Sequence, residues 1–334
     1  MSGADYPSPM DLTGLRTYSL ADRPSKVFAD DLGKPVGAGA TVTQWLDALP
    51  RQLAANTLRR VRDELVRAKR EGRQVVAAIG GHVIKVGCAP YLNSWLNQGV
   101  VTAVAMNGAA AIHDFELAFR GRTSEDVGAV LLNGNFGMAR ETADAMALSS
   151  ARGAVAGFGQ ALGEHLDQLD KSGQLANPEA SLVLAAYRAG ASCTIHVAMG
   201  TDVVHMHPQV SGANLGAASM VDFRRLCTVV SRLAHGVWFN IGSAVIMPEV
   251  FLKAVSVVRN MGHDLAGLVA INFDKESKYR TATNVLSRPA AVGLEMTGNH
   301  EILLPLMHAA VAEGLAAGGR GGETEAPSAQ RQAA

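Results

Sequence analysis

Six short, mostly apolar runs of β-favouring residues recur along the middle of this chain, each separated from the next by a longer stretch of helical character. They are Gln74–Ile79, Val101–Met106, Ser192–Ala198, Val237–Ile241, Leu268–Phe273 and Val292–Met296. Several are apolar throughout rather than at alternate positions, the pattern of strands buried on both faces. Between and around them the sequence predicts helices over Thr57–Glu71, Pro90–Asn97, Asp114–Arg120, Arg140–Ser149, Gly157–Lys171, Pro178–Ala189, Ala217–Leu233, Pro248–Met261 and Glu301–Leu315. This alternation predicts an α/β fold, a Rossmann-like doubly wound and mostly parallel sheet, with ligands at the carboxyl ends of the strands. No fixed period repeats, which argues against a solenoid or propeller.

The chain has 334 residues, of which 48% are hydrophobic, enough to bury a large core. Residues 1–56 mix Pro, Gly and Asp with scattered apolar positions and predict an arm that wraps; residues 57–316 form the α/β domain; 317–334 are small and polar and predict a disordered tail. Thirty basic residues balance thirty acidic ones, so no general pull toward nucleic acid or an acidic membrane is expected, and a small molecule is the expected partner. Cys88, Cys193 and Cys227 lack the pairing of a disulfide framework or a zinc site and read as reduced thiols of a cytoplasmic protein. No signal peptide and no apolar run long enough to cross a bilayer is recognised.

The loops after the strands carry the candidate chemistry. After the first comes GGHVIKVG, where Gly80 and Gly81 let a backbone approach a ligand and Lys85 could reach a phosphate or carboxylate. Its spacing does not match a phosphate-binding loop. After the second comes NGAAAIHDFE, in which Asp114 reads as a helix N-cap or first-turn acid, leaving His113 and Glu116 to be explained. After the third, MGTDVVHMHP places His205 and His207 two apart, on one face of an extended segment, with Asp202 near enough to complete a metal triad. The fourth leads to Gly242 and Ser243, then a helix opened by Pro248 with Glu249 in its first turn. The fifth leads to DKESKYRTATN, read as a mobile polar loop. GFGQALG, Gly157–Gly163, sits in a helical run and has the wrong spacing for a dinucleotide fingerprint.

Taken in order from Gln74 to Leu315, these segments resemble the deoxyhypusine synthase family. AAIGGHVIKVG is similar to its strand and Gly-rich turn; AVAMNGAAAIHDFE fits its Thr-Thr-Ala-Gly-Gly and Glu-Glu-Asp-Leu frame, with Asp114 on the aspartate. GTDVVHMHP, the stretch MVDFRRLCTVVSRLAHGVWFNIGSAVI, the pair Ile271 and Asn272, and TGNHEILLPLM follow in the family's order. The resemblance implies an NAD-binding fold and a homotetramer built from dimers that share active sites. Its members oxidise spermidine with NAD and carry the aminobutyl group on a lysine as an imine. On the cofactor side it implies Gly80, Gly81, His82, Asn107, Gly108, Gly242, Ser243, Asp274, Thr297, Gly298 and Asn299.

The chain departs from that pattern on the substrate side. RTATNVLSRP stands where the family has its Trp-Gly-Lys, and no lysine follows Lys278. The two glutamates fall on Ile112 and His113, and Lys-His-His becomes Met247, Pro248 and Glu249, while Asp202 retains the place of an amine-binding aspartate. Three readings follow. The first is an NAD-dependent enzyme, a homo-oligomer, acting on a small and less cationic molecule by transfer or redox chemistry rather than making deoxyhypusine. Its candidate catalytic residues are His113, Asp202, His207 and Lys85, with Lys275 or Lys278 as other substitutes for the lost nucleophile. The second is a non-catalytic dinucleotide sensor or scaffold. The third is a metal-dependent hydrolase or lyase using Asp202, His205 and His207.

Overall fold

A computed structural model describes residues 6–317. Its six strands are β1 (Val75–Ile79), β2 (Ala103–Asn107), β3 (Ser192–His196), β4 (Val237–Ile241), β5 (Val269–Asp274) and β6 (Val292–Thr297). They form one sheet in the order β3-β2-β1-β4-β5-β6, and every neighbouring pair is parallel. The α/β, Rossmann-like reading therefore holds, and each strand ends within two residues of the run that predicts it. Every residue of β1 and β4 is buried, as the uninterrupted apolar runs require.

The helices are α1 (Val42–Ala48), α2 (Leu53–Arg70), α3 (Gly81–Lys85), α4 (Ala89–Asn97), α5 (Gly108–Arg120), α6 (Val127–Leu131), α7 (Arg140–Ala156), α8 (Phe158–Lys171), α9 (Leu182–Arg188), α10 (Gly212–Val230), α11 (Ile246–Asn260), α12 (Tyr279–Thr281) and α13 (His300–Ala317). Alternate residues of the strands feed two cores. Val75, Ala77, Ile79, Phe239 and Ile271 pack with α2, α4, α5 and α13; Val76, Ala78, Trp238 and Ala270 pack with α10 and α11. No helix among the described residues is long and apolar enough to cross a membrane.

The arm shows no buried residue between Tyr6 and Thr41, whereas α1 places Leu46 in the core and Glu313 of α13 accepts the amides of Val42 and Thr43. The polar tail read at 317–334 lies outside the described residues, apart from Ala317 at the end of α13. The second half of the stretch read as a mobile loop after β5 is helical: α12, which carries Arg280, passes into a π-helical turn over Ala282–Ser287, which carries Asn284, and both side chains bind Glu249. The glycines of GFGQALG serve packing, since a Cβ on Gly159 would lie 2.1 Å from the Cys193 carbonyl oxygen of β3.

Asp114 is the main local correction. Helix α5 starts at Gly108, with Asn107 as its N-cap, so Asp114 lies in the helix interior and caps a different helix. Its carboxyl accepts Ser181 Oγ at 2.5 Å, the Leu182 amide at 2.6 Å and the Val183 amide at 3.3 Å, which together hold the first turn of α9. This contact also interrupts the single helix predicted over Pro178–Ala189: a short 3-10 turn, Pro178–Ala180, precedes α9, with Ser181 as the cap. Burial pushes the Asp114 carboxyl up to about 6 against the opposing pull of these donors.

A carboxyl whose folded pKa is raised contributes most to stability below its unfolded value and loses that contribution as pH rises through about 6. The amide introduced by Asp114→Asn cannot ionise, so the stability of wild type relative to this variant should fall by on the order of 2–3 kcal/mol between pH 4 and pH 7.5. Urea unfolding at both values measures it, and a difference independent of pH would contradict the assignment.

Candidate functional site

The sheet order places β1 beside β4 at the point where successive connections leave in opposite directions, the position at which a doubly wound sheet is expected to bind ligands. Two glycines bring the strand-end loops together there. A Cβ on Gly80, just after β1, would lie 2.1 Å from the Gly242 carbonyl oxygen. Gly242, just after β4, has φ +61, and a Cβ there would lie 2.7 Å from His300 Nε2. The absent side chain at Gly80 thus lets two strand-end loops meet, a different reason from the approach to a ligand that the sequence suggested. Ser243 is also engaged locally, its Oγ accepting the Met247 amide at 3.2 Å at the start of α11.

On the β2 and β3 side, Asn107 Oδ1 accepts the Ala110 amide at 2.9 Å. A Cβ on Gly108 would lie 2.0 Å from Asp202 Oδ2, so the carboxylate sits directly on the first turn of α5, where the helix dipole favours a negative charge. Burial raises the Asp202 pKa, and nearby His205 and His113 oppose the rise. His113 lies one face along from that turn: a Cβ on Gly81 would come within 3.3 Å of its Cδ2. Its Nδ1 lies 2.7 Å from Thr123 Oγ1, and Thr123 donates to Glu116 at 2.5 Å. Gly81, Gly108, His113 and Asp202 are therefore brought together.

His205 and His207 do not share a face. His205 lies in a 3-10 turn, Val203–Met206, and His207 is the residue that ends it, so the pair does not form one extended face. His205 Nδ1 accepts the amides of Gly200 and Asp202, each at 3.1 Å, and His207 Nε2 donates to the Gly137 carbonyl at 2.8 Å. No group of three His, Cys, Asp or Glu side chains among the described residues could hold a metal ion. The metal-triad reading is thereby corrected, and His207 anchors the loop before α7.

On the β5 and β6 side, Asp274 ends β5, Thr297 ends β6, and Gly298 and Asn299 lead into α13. Thr297 and Asn299 are exposed, and the Gly298 amide donates to the Asp274 carbonyl at 2.9 Å. His300, which the sequence reading did not single out, is buried, and its ring meets His82 edge-on at a centroid distance of 5.9 Å. Burial holds both imidazoles below their ordinary pKa; Lys275 and Lys85 add to this at His82. Lys85 and Lys275 are exposed, and Lys278 pairs with Glu276.

Seven sealed side-chain polar atoms among the described residues have no hydrogen-bond partner, and two of them, His82 Nε2 and His300 Nδ1, belong to the rings that meet beside the Gly242 turn. Such groups are costly unless something satisfies them, which makes this ring pair the least satisfied polar contact at the strand ends. Grooves of about 630 and 520 Å³, lined by side chains of α4–α5 and α10–α11, share no residue with it.

No protein-family model matches the chain, and comparison with curated protein sequences gives no match. Among solved structures, the complex of AgrE with ornithine and NAD+ is similar at a TM-score of 0.53 and 13% identity, over 77% of this chain and 33% of that one. A conserved candidate LOR/SDH protein from Methanococcus maripaludis S2 is similar at 0.50 and 16%, over 78% and 70%. A candidate deoxyhypusine synthase from Entamoeba histolytica is similar at 0.49 and 10%, over 84% and 96%, a score too low to add weight. The chain thus spans about a third of AgrE, and at these identities the likeness is one of fold.

Because the Gly80 contact is with backbone, Gly80→Ala should cost about 3 kcal/mol in urea unfolding. Gly81→Ala meets Ala109 Cβ at 3.2 Å, the Ala109 backbone at 3.3 Å and His113 Cδ2 at 3.3 Å, contacts relieved by a shift of a few tenths of an ångström and partly offset by helix propensity, so it should cost about 1 kcal/mol. Equal costs would contradict the geometry.

Proposed function

We propose that this protein is an NAD-binding enzyme that acts on a small molecule by transfer or redox chemistry at the carboxyl edge of its sheet. The observation that carries the reading is the pair of imidazoles with buried, unpartnered nitrogens, His82 and His300, beside the glycine turns at the β1–β4 switch point. The backbone at Gly80–His82, Gly242 and Ser243, with Asp274 and Thr297–Asn299 beside it, would hold the dinucleotide, and Asn107 and Gly108 would border it, the start of α5 already facing the Asp202 carboxylate. Bound nicotinamide would supply hydride transfer. His113 would hold or accept the substrate proton, and Asp202, fixed on Gly108, would orient a polar or cationic substrate group. The presence of NAD+ and ornithine in the AgrE complex supports the choice of cofactor and of an amine-bearing substrate.

Deoxyhypusine synthesis is left out of this reading because no lysine follows Lys278 in the stretch that would carry the imine. The reading includes a cytoplasmic homo-oligomer without nucleic-acid or membrane partners. In its favour, the arm carries large apolar side chains that stand open, among them Tyr6 at 89%, Met10 at 84% and Leu20 at 71% exposure, more than an isolated chain tends to keep.

NAD at millimolar concentration should raise the melting temperature by about 5 °C, since binding to the native state stabilises it, while zinc, nickel and manganese should not. A shift with metals and none with NAD would overturn the reading. His113→Ala should keep the wild-type melting temperature to within about 2 °C and abolish reduction of NAD by amines and amino acids tested as substrates. An unstable variant would identify His113 as a core residue instead.

A further inference from the structure

The polar chain behind His113 has only one consistent set of proton positions. Thr123 has a single hydroxyl proton, and its Oγ1 lies 2.5 Å from Glu116 Oε2 and 2.7 Å from His113 Nδ1. Burial pushes the Glu116 carboxyl up, but the neighbouring His113 ring, acting through charge rather than a hydrogen bond at 3.9 Å, and the hydroxyls of Thr123 and Thr142 outweigh it and lower the group. An ionised carboxylate only accepts, so the Thr123 proton goes to Glu116 and the threonine oxygen has only lone pairs to offer the ring. The second carboxylate oxygen is also taken, by Thr142 Oγ1 at 3.0 Å. Direct pairing of the ring with Glu116 is excluded as a hydrogen bond, because Nδ1 and Oε2 are 3.9 Å apart.

Nδ1 must then carry the hydrogen, and Nε2 keeps its lone pair. Nε2 makes no hydrogen bond within the described protein and is absent from the sealed, unpartnered atoms, so it keeps some solvent access. The adjoining Cδ2 lies over Gly81, and the Asp202 carboxylate, seated on Gly108, is near enough for the two charges to influence each other.

We infer that Thr123 and Glu116 are positioning residues that hold His113 as the Nδ1–H imidazole, with Nε2 presented to the substrate as proton acceptor. The inference rests on the reading of His113 as the acid–base group of the site. In the step it serves, the lone pair of Nε2 forms a new N–H bond to a substrate proton while the substrate's bond to that hydrogen breaks and its electron pair stays on the substrate. The ring becomes imidazolium, and Nδ1–H stays with Thr123. The Glu116 carboxylate, one hydroxyl away, balances the positive charge without taking the proton. Thr123 lies beyond the end of α5, where Gly121 in the left-handed conformation turns the chain back, so the loop after α5 supplies the link.

The test reads the ring itself and needs no substrate. In full-length protein with nitrogen-labelled histidine, with the His113 signals assigned by their loss in His113→Gln, the nitrogen shifts at pH 8 should show a protonated Nδ1 and an unprotonated Nε2. Thr123→Ser should preserve this state. Thr123→Val should return the ring to the Nε2–H form that a free histidine side chain prefers. An Nε2–H ring in the wild type, or no change in a folded Thr123→Val variant, would overturn the inference; if that variant does not fold, the wild-type and Thr123→Ser spectra decide it. Because the readout is a tautomer, failure of the NAD reading would appear separately, as a missing thermal shift with a normal ring spectrum.

Discussion

The contact on which the rest of the site depends is the meeting of two backbones at the sheet's switch point. Gly80 approaches the Gly242 carbonyl so closely that a Cβ would sit 2.1 Å from it, and Gly242 in turn leaves room for His300. Because β1 and β4 are hydrogen-bonded neighbours buried at every residue, neither backbone can yield to a side chain. The close approach sets where α3 begins, and with it the position of Gly81 against Ala109 and His113.

A second constraint comes from carboxyls committed to backbone donors rather than to solvent. Asp114 ties α5 to the first turn of α9. Asp222 of α10 accepts the Gly159 amide at 2.9 Å and the Ile195 amide at 2.8 Å, joining α8 and β3 to the other side of the sheet. Burial pushes the Asp222 carboxyl up to about 6, as it does that of Asp114. Helix α5 is thus fixed at its start by the Asn107 cap and at its middle by the Asp114 tie to α9, and His113 and Glu116 flank that tie. A site of this precision needs such a scaffold.

The strands and their parallel class are legible in the sequence because strands buried on both faces must be apolar throughout, a requirement written locally. The register of α5 is less legible. Asp114 has the chemistry of an N-cap, and nothing local shows that it caps a helix nearly seventy residues away while Asn107 serves its own. The histidine pair at 205 and 207 fails for the opposite reason: the sequence suggests an extended segment, and the chain instead makes a 3-10 turn, and each ring binds backbone. Thr123 and His300 carry no motif at all. One acts through a loop that folds back on α5, the other through a helix start packed on the glycine turn, so both roles arise only in the tertiary structure.

The central claim, that ligand chemistry belongs to the carboxyl edge at the β1–β4 switch point, is tested most directly by hydrogen–deuterium exchange with and without saturating NAD. The account predicts slowed exchange confined to residues 80–85, 107–113, 242–247 and 297–303, the four segments that converge there. Protection centred instead on the grooves at Asn93 or Met220, or no protection anywhere, would contradict it.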